Sequence, residues 1–172
     1  MKTRNLLLAL FSMLCCYAHA GNTNPLNKLF IQNNNQVKDE QGNAVSNTLF
    51  YNTGQNNNLF ITNYGYTLVY RQAGKSGTVY NKIQFNLQGA TITPGQVVYT
   101  GQTGAKINIY HAADIQENIT TASTVLIRNI YPGIDWVWSF DASGKPKHEF
   151  MVNMGADAKR INYQVSGASV VN

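Results

Sequence analysis

Side chains that could do chemistry gather in one short stretch: Asp135, Trp136, Trp138, His148 and Glu149. Asp135 and Glu149 could share a face as diagonal neighbours across a hairpin, with side-chain origins roughly 7–8 Å apart. Two carboxylates so placed suit a calcium site or an acid/base pair. The simpler reading has Asp135 capping a turn and Glu149 paired with Lys147 or Arg128. Trp136 and Trp138 would form a sugar-stacking platform if exposed, but alternation with Val137 and a place opposite Phe150 favour a core role. His148 and Glu149 make no dyad, because adjacent strand residues point to opposite faces. His111 and Asp114 supply no second ligand set, and neither Gly-x-Ser-x-Gly nor His-Glu-x-x-His occurs. The expectation is therefore no catalytic residue, no metal and no cofactor. Asp135, Glu149, Trp136 and Trp138 remain as candidate ligand-binding residues.

The elements that must position these residues are two turns and two strands. In Tyr131-Pro132-Gly133-Ile134, proline sets φ at the second position and glycine accepts positive φ at the third, which is the type II requirement. Asp141-Ala142-Ser143-Gly144 has the Asp and Gly of a type I turn closed by a glycine bulge, a three-residue hairpin loop. That loop puts Ile134 opposite Val152, Trp136 opposite Phe150 and Trp138 opposite His148. One face then collects Ile134, Trp136, Trp138, Phe140, His148, Phe150 and Val152. The other collects Asp135, Val137, Ser139, Lys147, Glu149 and Met151. An even loop would mix the two sets, so the sorting favours the bulged turn.

The rest of the chain reads as short strands cut by Gly, Pro and Asn turns. Strands are expected at 29–31, 48–51, 59–62 and 66–71, the last two a hairpin around Asn63-Tyr64-Gly65. Ile83, Phe85 and Leu87 alternate with Lys82, Gln84 and Asn86, as in a half-buried antiparallel strand. Further strands are expected at 97–100, 106–110, 124–127 and 161–165. Ala112 to Ala122 is the one segment read as a helical turn, on a thin apolar face. The Gly74-to-Gly77 segment lacks the spacing of a phosphate loop. No fixed-period repeat is present. The predicted class is all-β, an antiparallel sandwich-like domain with at most one short helix.

Lys2 and Arg4, the apolar run Leu6 to Tyr17 and Ala18-His19-Ala20 have the three parts of a secretory signal peptide. The apolar run is too short for a membrane helix. Cleavage after Ala20 is preferred, leaving one β-rich domain over residues 21–172; lipidation at Cys16 is the alternative. Both cysteines leave with the signal, which excludes a disulfide framework. Losing Lys2 and Arg4 leaves 11 basic residues against 8 acidic ones, a formal charge of about +3 with no basic run. A nucleic-acid groove needs more than that. The 22 Asn and 11 Gln outnumber the 13 basic and 8 acidic residues together, a composition suited to a strand-and-turn protein that stays soluble outside the cell. No later segment approaches membrane-span length.

Three stretches resemble a known family: Arg-Asn-Ile-Tyr-Pro-Gly-Ile-Asp at 128–135, His-Glu-Phe-Met-Val-Asn-Met-Gly-Ala-Asp-Ala-Lys-Arg-Ile at 148–161, and Gly-Ala at 167–168. They are similar to the N-terminal domain of uncharacterised function in large bacterial surface proteins that carry SBBP (seven-bladed β-propeller) repeats or gliding-motility-associated C-terminal domains. Phe30-Ile31-Gln32-Asn33-Asn34-Asn35-Gln36 is similar to the family's opening Phe-x-Glu-Asn-x-Gly-Gln. The chain departs from the pattern at Gln32 (Glu), Asn35 (Gly), His148 (Tyr), Glu149 (Asp) and Met154 (Pro). The resemblance implies export in a Gram-negative bacterium, often by the type IX route, and further domains in longer relatives. Such domains normally continue beyond Gly167-Ala168, so the chain is expected to be a short stand-alone form or a truncated one. It implies no known activity. The functional expectation is a non-catalytic structural or adhesive module at the cell surface; the alternative is a glycan- or small-ligand-binding module. Expected partners are cell-surface glycans or other surface proteins, not nucleic acid.

Overall fold

Short runs that alternate apolar and polar residues can bury one face only by pairing edge to edge and stacking on a second sheet. The computed structural model describes residues 28–167, apart from 40, 55–56, 75–76, 102–105 and 112–113. The expected signal segment 1–20, its cysteines and residues 21–27 lie outside the described residues. The strands are β1 (Phe30–Gln32), β2 (Thr48–Thr53), β3 (Asn57–Thr62), β4 (Gly65–Gly74), β5 (Gly77–Leu87), β6 (Val97–Thr100) and β7 (Ile107–His111). They continue as β8 (Asp114–Ile119), β9 (Thr121–Ala122), β10 (Thr124–Tyr131), β11 (Ile134–Phe140), β12 (Pro146–Val152) and β13 (Tyr163–Ser166). Every pairing between them is antiparallel.

A seven-stranded sheet runs in the order β13-β5-β4-β3-β2-β1-β9, and a four-stranded sheet in the order β12-β11-β10-β6. The chain crosses from one sheet to the other at Ser123, between β9 and β10. The inner faces of the two sheets meet in a core built on Phe30, Phe50, Leu59, Ile61, Val125, Ile127, Ile134, Trp136 and Trp138. Phe30 of β1 stacks on Phe140 of β11 with centroids 4.5 Å apart, and Tyr66 of β4 meets Trp138 edge-on at 5.3 Å. The Tyr131 hydroxyl at the end of β10 donates to the Gln88 carbonyl at 2.8 Å, tying the second sheet to the loop after β5. This is the all-β, antiparallel, sandwich-like class that the sequence predicts.

The segment expected as a helical turn is different. Residues 114–119 form β8, which pairs with β7 as a separate two-stranded sheet, and residues 121–122 form β9. The pairing gives Ile119 a place that a helix would not. It is fully buried with Ile31 and Tyr51 in a second, smaller core on the outer face of the large sheet, with Ile107 and Ile109 packed against it. Ile119 is thus buried through strand pairing while Ile115 on the same strand is exposed, and a helix at 114–119 would lose the β7 ladder. Single 3-10 turns stand at Pro94–Gln96 and Ala158–Arg160.

Candidate functional site

The hairpin β11–β12 has the register that its loop chemistry demands. Ile134 pairs with Val152, Trp136 with Phe150 and Trp138 with His148. Asp141 N–H donates to the Lys145 carbonyl, Gly144 N–H donates to the Asp141 carbonyl, and Gly144 has φ +82°. The Asp141 carboxylate accepts from the Ser143 hydroxyl at 2.7 Å and from Lys145 N–H at 2.9 Å, which holds its pKa below the usual value. Asp39-to-Asn43 repeats the device: Asp39 accepts from Asn43 N–H and Gln41 N–H, and Gly42 has φ +84°.

Asp135 serves the preceding turn. β10 and β11 are joined by Pro132-Gly133, with Tyr131 paired to Ile134. A type II turn twists its strands the wrong way for a tight hairpin. The ladder accommodates this by a bulge: Ile127 pairs with Trp136, so residues 128–130 all face the single residue Asp135. Asp135 Oδ1 accepts from Asn129 N–H at 2.7 Å inside the bulge, and Asn129, at φ +54°, accepts from Gly133 N–H at 2.9 Å through its own Oδ1. Gln96 Nε2 donates to the Arg128 and Asn129 carbonyls at 2.9 and 3.2 Å. The bulge thus finds partners for backbone groups that a regular ladder would have paired. Asp135→Ala is expected to cost about 1–2 kcal/mol of stability, because a charge-assisted bond to the backbone is lost. Urea unfolding of the variant measures it.

Glu149 lies on the same outer face but has its own partner, the Lys147 ammonium at 3.2 Å, with both side chains largely in water. Asp135 and Glu149 are therefore diagonal neighbours with separate partners. Among the described residues, no three His, Cys, Asp or Glu side chains cluster to hold a metal. The side chains of His111 and Asp114 lie outside the described residues.

Trp136 and Trp138 point inward, 0% and 2% exposed. A surface stacking platform is not what they form, because the hairpin's register turns both rings into the core. Trp136 lies parallel to Phe150 at 5.7 Å and donates from Nε1 to His148 Nδ1 at 3.1 Å. His148 thereby carries its proton on Nε2 and stays neutral, and burial pulls its pKa below the ordinary 6.5. The unfolded chain then binds that proton more readily than the folded one. Stability should be flat above about pH 6.5 and fall as pH drops below it. The window above the carboxylate range isolates the histidine, and thermal melts from pH 7.5 to 5 should show a slope that shrinks in His148→Phe.

Spacing alone gives no sign of a cleft of about 410 Å³ at the mouth of the sandwich. Asn52, Asn57, Leu59, Tyr66 and Tyr70 line it from the large sheet, and Trp138, Lys145, Pro146 and His148 from the hairpin. Trp138 Nε1 is buried with no hydrogen-bond partner. A broader groove of about 600 Å³ lies on the outer face of the large sheet, floored by Thr48, Thr62, Thr67 and Gln84.

The model of a family described as "Domain of unknown function (DUF7948)" matches residues 30–172. No curated protein and no solved structure matches the chain.

Proposed function

We propose that this chain, which belongs to the DUF7948 family, is an exported, non-catalytic structural or adhesive module of a bacterial cell-surface protein. The observation that carries this reading is the commitment of the hairpin's chemical side chains to folding. Asp135 holds a bulge, Glu149 pairs with Lys147, both tryptophans build the core, and the half-buried His148 accepts from the Trp136 N–H. What remains outward is rich in amide, hydroxyl and tyrosine groups, the kind of surface that makes many weak polar contacts without a reaction.

The signal-like residues Lys2 to Ala20 support export. The Tyr-Pro-Gly-Ile-Asp motif supports a place in proteins that carry SBBP repeats or gliding-motility-associated C-terminal domains. Protease treatment of intact cells, followed by detection of the chain, tests the reading. Digestion from outside, and binding of purified protein to cell surfaces, are expected. Full protection in cells whose envelope is intact contradicts it.

A second reading, a glycan- or small-ligand-binding module, is favoured by one specific feature: a cleft lined by Trp138, whose N–H has no partner. An adhesive module must grip something, and this cleft is where a small group could be gripped.

A further inference from the structure

We propose that the cleft between the two sheets binds an acidic saccharide unit, a pyranose bearing a carboxylate, with Lys145 meeting the carboxylate, Tyr66 and Tyr70 framing the ring, and the buried Trp138 N–H at the cleft's inner end. The proposal rests on the adhesive reading above and names what is adhered to.

The volume of about 410 Å³ falls in the range of small-ligand sites. Its walls come from both sheets, so a ligand there is held by rigid elements on two sides. Tyr66 is fixed by stacking on Phe85 at 4.5 Å, and Tyr70 is 38% exposed at the rim. Flat aromatic faces beside amides suit a sugar, whose C–H faces are apolar and whose rim is hydroxyl.

The polar groups lean one way. Trp138 contributes an N–H that is buried without an acceptor, a state that costs free energy unless something supplies one. His148 Nδ1 is occupied by Trp136, which leaves its Nε2–H as a donor. Among the described residues, Lys145 is the charged one lining the cleft, and no Asp or Glu lines it. The Lys28 side chain packs over Gly144 at the same turn. Asn57 can donate or accept. A ligand rich in acceptors and carrying negative charge satisfies this set better than a neutral one.

The test uses the purified protein with glucuronic-acid-terminated and sialic-acid-terminated oligosaccharides and their neutral counterparts, followed by calorimetry and tryptophan fluorescence. Binding of an acidic saccharide at least tenfold tighter than its neutral counterpart is expected, with a change in fluorescence. Lys145→Gln should abolish the preference for the acid, and Tyr70→Ala should weaken binding at least tenfold. Both side chains are partly in water, and a melting curve for each variant verifies the fold. Equal affinity for acidic and neutral sugars, or binding that neither substitution alters, overturns the proposal. If the protein binds cell surfaces while both variants bind them equally well, the adhesive reading stands and the cleft proposal falls. If the protein binds neither surfaces nor any saccharide, both fall.

Discussion

Replacing Trp136 by alanine is expected to cost about 3–5 kcal/mol of folding free energy, the range for removing a large buried ring. The ring is fully buried, stacked on Phe150 and hydrogen-bonded to His148. Its loss would leave a cavity between the sheets and an orphaned imidazole acceptor beside it. At roughly 2–4 °C per kcal/mol for a chain of this size, the melting temperature should fall by about 6–20 °C. Trp136→Phe should recover much of the loss, since it restores the stack but not the hydrogen bond. A melting temperature unchanged in Trp136→Ala would mean that the ring is not part of the core.

Gly65→Ala is expected to cost about 3 kcal/mol or more, for a different reason. Gly65 opens β4 directly after the two-residue turn Asn63-Tyr64 and pairs with both Thr62 and Asn86. Its φ of +154° is a conformation that L side chains rarely adopt. A Cβ there would also lie inside the van der Waals surface of the Phe85 carbonyl oxygen, which belongs to the backbone of the neighbouring strand and cannot swing aside. The ladder between β4 and β5 would have to separate at its base. Denaturant unfolding of the variant gives the number, and a loss below about 1 kcal/mol would contradict this account.

The two substitutions also mark what can be read from residues in order and what cannot. The register of β11–β12 follows from Asp141 and Gly144, because a loop's chemistry decides which residues face each other. Asn35 has φ +71°, in the left-handed region that asparagine tolerates. Asn33, two residues earlier, proves to be structural, donating to the Val45 and Thr48 carbonyls and accepting from Val37 N–H. Harder to read were features made by pairing across long separations. Ile119 finds its place only when β7 is set beside it and Ile31 and Tyr51 beneath, while Ile115 on the same strand stays exposed. The bulge at 128–130 needs Gln96, more than thirty residues earlier, to satisfy its carbonyls. The cleft likewise draws Asn52, Tyr66 and Tyr70 from one sheet and Trp138 and His148 from the other. Trp138 was legible as a core residue, but its unpartnered N–H was visible only once the neighbours were in place.

The central claim is that Asp135 and Glu149, the pair with the strongest look of chemistry, act separately in folding. A double-mutant cycle with Asp135→Ala and Glu149→Gln, read by urea unfolding with and without millimolar calcium, tests it most directly. Each carboxylate has its own partner, Asn129 N–H for one and the Lys147 ammonium for the other. The predicted coupling is below about 0.5 kcal/mol, the same with and without the ion. A coupling of about 1 kcal/mol or more, or a calcium-dependent stabilisation that the double variant loses, would contradict the account and make the pair a site.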